Sequence, residues 1–495
     1  MQKKQTILVV ASLLVVVLSV TLAYFTAQII GKGKNVTINS ADLKIIFTDS
    51  DGSISGTNIE PGKWNVTKTF TIENKSNETY KYNIVIQDLV NTFVTNGYLQ
   101  YKITSTNNGY NMTEFKDVPK SSAPKDTILT YSVSIPVGVT QSYTVEFKYA
   151  NDESVDQSDD MGKKLSGKLF ITEGTEDPNK TLYNQLLADK STVLTRTDFS
   201  KVLTDNNTKT LYTSTEDSKT VYYFAGNATD NWVKFGKNAS NQDLYWRIIR
   251  TNSDGSVRLL YHGTSTTTTD AYIGTSAFNS SYDNIAYVSY MYGSLGSISS
   301  ARENTNNSTI KTTIDNWYIS NLEAKGYTKY LSTTAVYCND RSTSDNTNFG
   351  AFTRLGTNKT PSYDCAATED KFTVDTSTGN GKLTYPIALM TADEVSFAGG
   401  LYGANTPTWY YYNSVNDSST GSKFWWLLSP LDSSTSGSSM FIVRGSSNPG
   451  RLNYNYVNSN NGVRPALSLK SCVKYSSGDG SANEPYTIKE TETGC

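Results

Sequence analysis

The chain has very little histidine and cysteine, and this scarcity restricts the chemistry available to it. Among 495 residues there are one histidine, His262, and four cysteines. A Ser-His-Asp or Cys-His catalytic apparatus would have to use His262, which follows an apolar run and is predicted to be a surface or turn residue. The sequence also lacks a P-loop and a GxGxxG motif after a strand. We therefore expect no enzymatic activity and no cofactor; an enzyme with an unfamiliar site remains the less favoured alternative.

The chain also lacks an excess of charge of either sign. Its formal net charge is -2 and its sequence pI is about 5.7. No basic stripe is present that would neutralise phosphates, so nucleic acid is not an expected partner.

The four cysteines fall into two local pairs. Cys338 lies near Cys365 in the sequence, and Cys472 lies near Cys495 at the end of the chain. A zinc site is the alternative, but there is no Cys-x-x-Cys pair and only one histidine. Two disulfides, Cys338–Cys365 and Cys472–Cys495, are therefore expected in an oxidising compartment.

One long apolar run lies at the N-terminus. Lys3 and Lys4 precede the uncharged residues 6–25. This pattern predicts that residues 1–30 are a signal peptide or a single membrane anchor, with the remainder outside the cytoplasm. Contact with a membrane is expected only through residues 6–25, if they are not cleaved off.

Alternation of apolar and polar residues indicates half-buried strands between residues 36 and 173. It is clear in residues 66–72, 80–86, 129–137 and 143–149. Such strands, separated by turn residues, predict an antiparallel β-sandwich. The Gly- and Pro-containing segment 173–178 marks its end. Residues 174–204 are expected to be a linker with a short helix, and residues 205–495 a second domain.

The second domain contains two helix signals among many short strands. Residues 308–322 have the spacing of an amphipathic helix, with Ser308 as its N-cap and Ile310, Ile314, Trp317 and Leu322 toward the core. Thr391 and Glu394 form a capping-box pattern. The expected fold class is therefore mostly β with an α+β C-terminal domain.

Residues 424–470 combine apolar strands with a long polar run. Residues 424–428 and 441–443 are apolar and predict two strands, the first of which is expected to end at Ser429-Pro430 before a serine-rich loop. Residues 444–461 consist mainly of Asn, Tyr, Ser and Arg. Adaptable amides and tyrosines on a rigid frame are typical of binding surfaces. We expect Leu452 to point inward and Arg451, Asn453 and Asn455 outward, with the tyrosines undecided. The candidate ligand-binding residues are Tyr410, Tyr411, Tyr412, Asn413, Asn448, Arg451, Asn453, Asn455, Tyr456 and Asn458.

Residues 425–430 and 462–470 resemble the C-terminal half of the C-type-lectin-like domains of Firmicutes surface proteins. Residues 231–236, 245–250, 254–260 and 385–395 resemble earlier elements of the same fold. Some relatives carry the variable region of diversity-generating retroelements here, with a similar Asn/Tyr/Ser palette. The fold is shared with formylglycine-generating enzymes, whose reactive cysteine pair has no counterpart before Cys472. The resemblance implies ligand recognition.

The N-terminal part is similar to the TasA/camelysin family. Its leader is similar at residues 21–26, and the opening of the sandwich is similar at residues 40–44, 58–63 and 69–74. This resemblance implies cleavage after Ala23 and assembly into extracellular fibres.

Sugar-binding C-type lectins use a Glu/Gln-Pro-Asn/Asp loop and a Trp-Asn-Asp strand to hold calcium, and neither is present as such. Asp417 and Asp432 are isolated acids, so no metal is expected. The sequence thus predicts an extracellular or cell-surface protein that binds a glycan or protein ligand. The alternative is a fibre or biofilm-matrix subunit that self-associates through the β-sandwich.

Overall fold

The computed structural model describes residues 43–47, 53–56, 59–112, 114–175, 177–268, 271–343, 347–409, 412–413, 424–434, 437–445 and 448–495. The chain divides into two compact units, Met1–Pro178 (unit 1) and Asn179–Cys495 (unit 2). The predicted leader, residues 1–30, lies outside the described residues. Within the described part, no helix is both long enough and apolar enough to cross a membrane.

Unit 1 consists of two antiparallel sheets, with strand orders β1-β3-β8-β5-β6 and β2-β9-β4-β7. The strands are β1 (Leu43–Phe47), β2 (Ser53–Gly56), β3 (Asn65–Asn74), β4 (Tyr80–Asn91), β5 (Leu99–Ser105), β6 (Lys116–Asp117), β7 (Ser121–Ile135), β8 (Thr140–Tyr149) and β9 (Leu165–Glu173). Both sheets contribute to one apolar core. The prediction of a mostly β chain that begins with an antiparallel sandwich is confirmed.

The predicted alternation holds in β8, where Tyr143, Val145, Phe147 and Tyr149 are all buried. In β7 it changes phase. Ser132 has a positive φ of 48° and lies at a register shift against β4, so Thr130 before it and Val133 after it are both buried. Val137, predicted to continue the buried set, is exposed. A bulge inserts one residue and so reverses the inward-facing phase.

The first half of unit 2 is built on a long sheet. Its elements are α1 (Leu182–Asp189), β10 (Thr192–Thr195), β11 (Thr210–Glu216), β12 (Lys219–Tyr223), β13 (Trp232–Lys237), β14 (Asp243–Thr251), β15 (Val257–Gly263), β16 (Thr275–Ser276), β17 (Met291–Tyr292), α2 (Ile298–Ala301), β18 (Asn306–Asn307), α3 (Thr309–Tyr318), β19 (Tyr337–Cys338), α4 (Gly350–Phe352) and β20 (Lys371–Phe372). The helix expected in segment 174–204 is present. Leu182 and Leu186 of this helix lie in the main core, so residues 179–204 are part of unit 2 rather than a linker.

The second half of unit 2 completes the sheets. It contains β21 (Ile387–Leu389), α5 (Ala392–Phe397), β22 (Thr408–Trp409), β23 (Tyr412–Asn413), β24 (Trp425–Ser434), β25 (Gly437–Val443), β26 (Leu452–Tyr456), β27 (Asn461–Gly462), β28 (Pro465–Leu469), β29 (Tyr475–Ser477) and β30 (Tyr486–Ile488). Among the described residues, one sheet has ten strands, which include the run β10-β11-β12-β14-β13-β30-β29, and another has the order β16-β27-β24-β25-β26.

Both predicted helices of unit 2 are confirmed. The Ser308 side chain accepts from Lys311 N at the start of α3, and Ile310 and Ile314 are buried. Before α5, Thr391 and Glu394 form the reciprocal capping box. These caps satisfy backbone N–H groups that would otherwise lack a partner at the helix start.

Candidate functional site

The candidate site is built on a buried frame of two strands, β24 and β25. The side chains of residues 425–428 are fully buried, and so are those of residues 440–443. Trp426 Nε1 donates to Ser276 O at 2.8 Å, and the Arg464 guanidinium lies 4.8 Å from the Trp425 ring centroid. A frame fixed in this way lowers the ordering cost of binding at its edge.

Strand β24 is longer than expected, because it continues through Pro430 to Ser434. The prediction that it ends at Ser429-Pro430 in a serine-rich loop is wrong. Register shifts against β25 flank Pro430, and a bulge is a place where a strand tolerates a residue that lacks an N–H.

Strand β26 carries three of the ten predicted contact residues, Asn453, Asn455 and Tyr456, and lies at the edge of this sheet. It pairs antiparallel with β25, with Ile442 opposite Asn453. Leu452 is buried, as expected, and Asn453 and Asn455 are half-buried. The most exposed side chains are the two tyrosines that the sequence left undecided, Tyr454 (41% exposed) and Tyr456 (44%).

The two asparagines of β26 bind their own strand. Asn453 Oδ1 accepts from Tyr454 N at 2.8 Å, and Asn455 Oδ1 accepts from Tyr456 N at 3.0 Å. Val457 N donates to Ser438 O of β25, and Leu452 O accepts from Gly403 N on the other side. The N–H groups of even-numbered residues therefore face the outer edge of the sheet, where the amide side chains cap them.

Tyr282, which the sequence analysis did not select, completes the exposed aromatic surface. It is 42% exposed, and its ring centroid is 5.7 Å from that of Tyr456. Ser438 N donates to Tyr282 O at 2.8 Å, and Ser438 Oγ donates to Asn284 O, so the loop is held against β25. We call Tyr282, Tyr454 and Tyr456 the tyrosine platform.

The other predicted contact residues lie around the platform or outside the described residues. Arg451 Nε donates to Asn405 Oδ1 at 2.9 Å, Asn448 is half-buried and Asn458 is exposed. Tyr412 and Asn413 form β23, which pairs with β22. Tyr410 and Tyr411 are outside the described residues, as is Asp417.

A second polar cluster, missed from the sequence, lies between β14, β15 and α5. Glu394 Oε1 accepts from Arg250 Nε at 2.9 Å and from Arg258 Nη1 at 2.8 Å, and Arg250 also pairs with Glu216. Burial opposes ionisation of Glu394, but the guanidiniums of Arg258 and Arg250 outweigh it and lower the pKa of this carboxyl. Each charge is paired, which is typical of a structural ion network.

The described part of the chain contains no group of three or more His, Cys, Asp or Glu side chains arranged to hold a metal ion. Asp432 lies in β24, where burial raises the pKa of its carboxyl.

His262 differs from its expected position. It lies in β15 and is only 2% exposed, so the prediction of a surface or turn histidine is wrong. Its ring packs edge-on to Trp232 at 4.3 Å. Burial, together with the charges of Arg247 and Arg464, holds the pKa of His262 well below its usual range.

The structure forms both expected disulfides. Cys338 is bonded to Cys365 and Cys472 to Cys495, with Cα–Cα distances of 5.8 and 5.2 Å. Disulfides persist in oxidising compartments, so the pairing indicates an extracellular or otherwise oxidising setting.

Comparison with known proteins adds little to this description. No family model matches the chain, and no curated protein matches it. Among solved structures, a ruminal GH26 endo-beta-1,4-mannanase is similar at 15% identity with a TM-score of 0.16, and the match covers 30% of this chain and 35% of that one. A likeness at this level carries no argument about fold or activity.

Proposed function

We propose that the protein is exported to the cell surface or the extracellular medium, and that unit 2 binds a glycan or protein ligand on the tyrosine platform. One observation carries the proposal: Tyr282 packs against Tyr456, Tyr454 lies two residues from Tyr456 on β26 beside the buried frame, and all three side chains are more than 40% exposed. Tyrosine offers an apolar face and a hydroxyl at low entropic cost, and both sugars and protein side chains use these contacts.

The surroundings of the platform suit recognition. Arg451, Asn453, Asn455 and Asn458 are polar neighbours of the tyrosines in the sequence, and each is half-buried or exposed. In this proposal unit 2 is a C-type-lectin-like domain. Its polar run, residues 444–461, then corresponds to the variable surface that diversity-generating retroelements alter in some relatives. A binding role for the surface fits its chemistry, since it contains almost no group that titrates near neutral pH.

Binding is favoured over catalysis by the position of His262. A nucleophile–histidine apparatus needs an imidazole that a substrate can approach and that can accept a proton. Here the side chain is buried and its pKa is depressed.

The proposed location rests on the disulfides and the predicted leader. Two disulfides fit export, and residues 1–30 have the pattern of a signal peptide or anchor. If residues 6–25 are retained, they are the proposed membrane contact.

The test is binding to glycan and protein arrays by the chain from residue 31 on, which retains both units. The triple variant Tyr282→Ala/Tyr454→Ala/Tyr456→Ala is compared with a control, Val137→Ala/Ile319→Ala, which shortens exposed apolar side chains elsewhere. We expect the triple variant to lose array binding that the control keeps. Equal binding by both variants, or no binding by the unsubstituted protein, would reject the platform as the site.

A second candidate function, a subunit of an extracellular fibre as in the TasA family, is favoured by one observation. Strand β7 (Ser121–Ile135) is a long strand at the edge of its sheet in unit 1. An exposed edge strand accepts another strand by backbone pairing. Filaments that appear with rising protein concentration, seen by electron microscopy, would support this function; their absence would leave ligand binding alone.

A further inference from the structure

Strand β10 (Thr192–Thr195) of unit 2 is an edge strand that the described residues leave uncovered. It pairs with β11 on one side and ends the ten-stranded sheet. All four of its residues are exposed, and two of them are apolar, Val193 (53% exposed) and Leu194 (44%). Exposed apolar side chains on an edge strand mark a place for another strand.

The backbone of β10 offers hydrogen-bonding groups to a partner. Thr192 N donates to Lys209 O, and Leu194 O accepts from Thr213 Oγ1, so Thr192 and Leu194 face β11. In a parallel ladder the alternate residues face the other way. The N–H and C=O groups of Val193 and Thr195 therefore point out of the sheet.

The apolar side chains of β10 extend two buried clusters to this edge. Val193 is paired with Leu211, which lies in the main core. Leu194 is paired with Tyr212, which belongs to a smaller cluster on the other face. A strand added beside β10 would cover both.

Among the described residues, the edge formed by β26 is protected and the edge formed by β10 is left uncovered. On β26 the outward N–H groups are capped by Asn453 and Asn455. Strand β10 carries no charge and no proline, which are two of the usual devices that prevent edge pairing, so that its short length of four residues is the protection left to it. Arg196, the first cation after β10 in the sequence, donates to the carbonyls of Asp198, Lys201, Ser396 and Phe397.

We infer that β10 pairs antiparallel with β10 of a second copy of the chain, with the two-fold axis at Leu194. In an antiparallel pair of strands, the backbone N–H and C=O groups of two opposite residues either both point toward the partner strand or both point away from it. Val193 of one copy therefore bonds with Thr195 of the other, and the two Leu194 side chains meet across the axis. Because the strand is uncharged, two identical copies meet without like-charge repulsion.

This proposal is independent of the tyrosine platform and places self-association in unit 2, whereas the sequence suggested the sandwich. A four-residue seam is small beside a standard interface of about 1,600 Å². The dimer should therefore be weak and form only at high protein concentration.

The test is sedimentation equilibrium of the chain from residue 31 on, with Leu194→Lys and Leu194→Glu variants. Each variant alone places like charges on the axis, so we expect its dimer dissociation constant to rise by about tenfold or more. An equimolar mixture of the two should recover dimer, because Lys meets Glu. The control is Leu295→Lys, at a leucine of similar exposure (50%), which should leave the dissociation constant unchanged.

Three results would overturn the inference. They are a protein that stays monomeric at the highest soluble concentration, a Leu194→Lys variant that dimerises as well as the unsubstituted protein, and a Lys/Glu mixture that recovers no dimer. Circular dichroism of each variant verifies folding, and recovery in the mixture is itself a result that misfolded chains would not give.

Discussion

The rings of Tyr282 and Tyr456 lie 5.7 Å apart at an interplanar angle of 49°, and the backbone of Gly437 passes beside both. A Cβ at Gly437 would lie 2.6 Å from Tyr282 Cδ2 and 3.0 Å from Tyr456 Cε1. The first distance is shorter than real Cβ contacts allow and the second is tighter than most of them, so the Tyr282 ring would have to move. The geometry of the tyrosine platform therefore depends on a residue that has no side chain.

Gly437→Ala should separate the two rings and weaken ligand binding by about tenfold, which corresponds to about 1.4 kcal/mol. The matched control is Gly274→Ala. Gly274, like Gly437, has a positive φ (149°), but no heavy atom would lie within 4 Å of a Cβ added there. Both variants carry the backbone strain of a positive φ, and only Gly437→Ala disturbs the platform. Equal affinities in an array or calorimetric titration would contradict this prediction.

His262 should make the free energy of unfolding depend on pH between 6.5 and 5, a range in which no other side chain has its ordinary pKa. In the unfolded chain its imidazole takes up a proton near pH 6.5, whereas burial keeps it neutral in the folded chain. Protonation therefore favours the unfolded state, and stability is lost as the pH falls below 6.5. The free energy of unfolding should decrease by up to about 1.4 kcal/mol per pH unit between pH 6.5 and 5.

The check is urea unfolding at several pH values for the unsubstituted protein and for His262→Gln. The variant can be less stable at every pH, but its free energy of unfolding should change clearly less between pH 6.5 and 5 than that of the unsubstituted protein. The same slope in both proteins would show that His262 is not responsible.

Lys190→Met should destabilise unit 2 strongly. Lys190 Nζ lies 2.6 Å from Asp230 Oδ2, and both side chains are almost fully buried. Nζ also donates to Asp230 O and Tyr486 OH. Removal of the cation leaves a buried carboxylate without its counter-charge, which costs about 3–5 kcal/mol.

The double variant Lys190→Met/Asp230→Asn removes the uncompensated charge and should recover part of that loss. Denaturant unfolding of both variants measures the difference. A double variant less stable than Lys190→Met would contradict the explanation by charge burial.

The two disulfides should contribute similarly to stability. They close loops with sequence separations of 27 and 23 residues, and the entropy removed from the unfolded chain depends only weakly on loop length. Cys338→Ser/Cys365→Ser and Cys472→Ser/Cys495→Ser should each cost about 2–4 kcal/mol. A much smaller loss for the second pair, measured by denaturant unfolding, would show that the tail is held by its other contacts, such as Thr491 N to Tyr330 OH.

The strands of unit 1 could be predicted because each has one buried and one exposed face. Period-two alternation identified β8 residue by residue. It failed at Ser132, because a single residue at positive φ inserts a bulge that no periodicity announces. Local signals also located the starts of α3 and α5, since a helix cap depends on residues three positions apart.

Long-range relationships were beyond the sequence. Tyr282 belongs to the platform only because β25 and the loop before residue 285 meet in space. Glu394 could be recognised as a capping residue, but its bonds to Arg250 and Arg258 depend on the packing of α5 against the sheet. The exposure of Tyr454 and Tyr456 likewise depends on which face of β26 is covered by other segments of the same chain.

The amide caps on β26 constrain how this surface can change. Asn453 and Asn455 are candidate ligand contacts, and they also occupy the N–H groups that would otherwise recruit a foreign strand. A substitution there that improved a ligand contact but removed the acceptor oxygen would expose the edge to aggregation. The side chains of Tyr454 and Tyr456 are not the ones that cap these N–H groups. New specificities on this scaffold would therefore arise at the tyrosine positions at lower risk to solubility than at the asparagines between them.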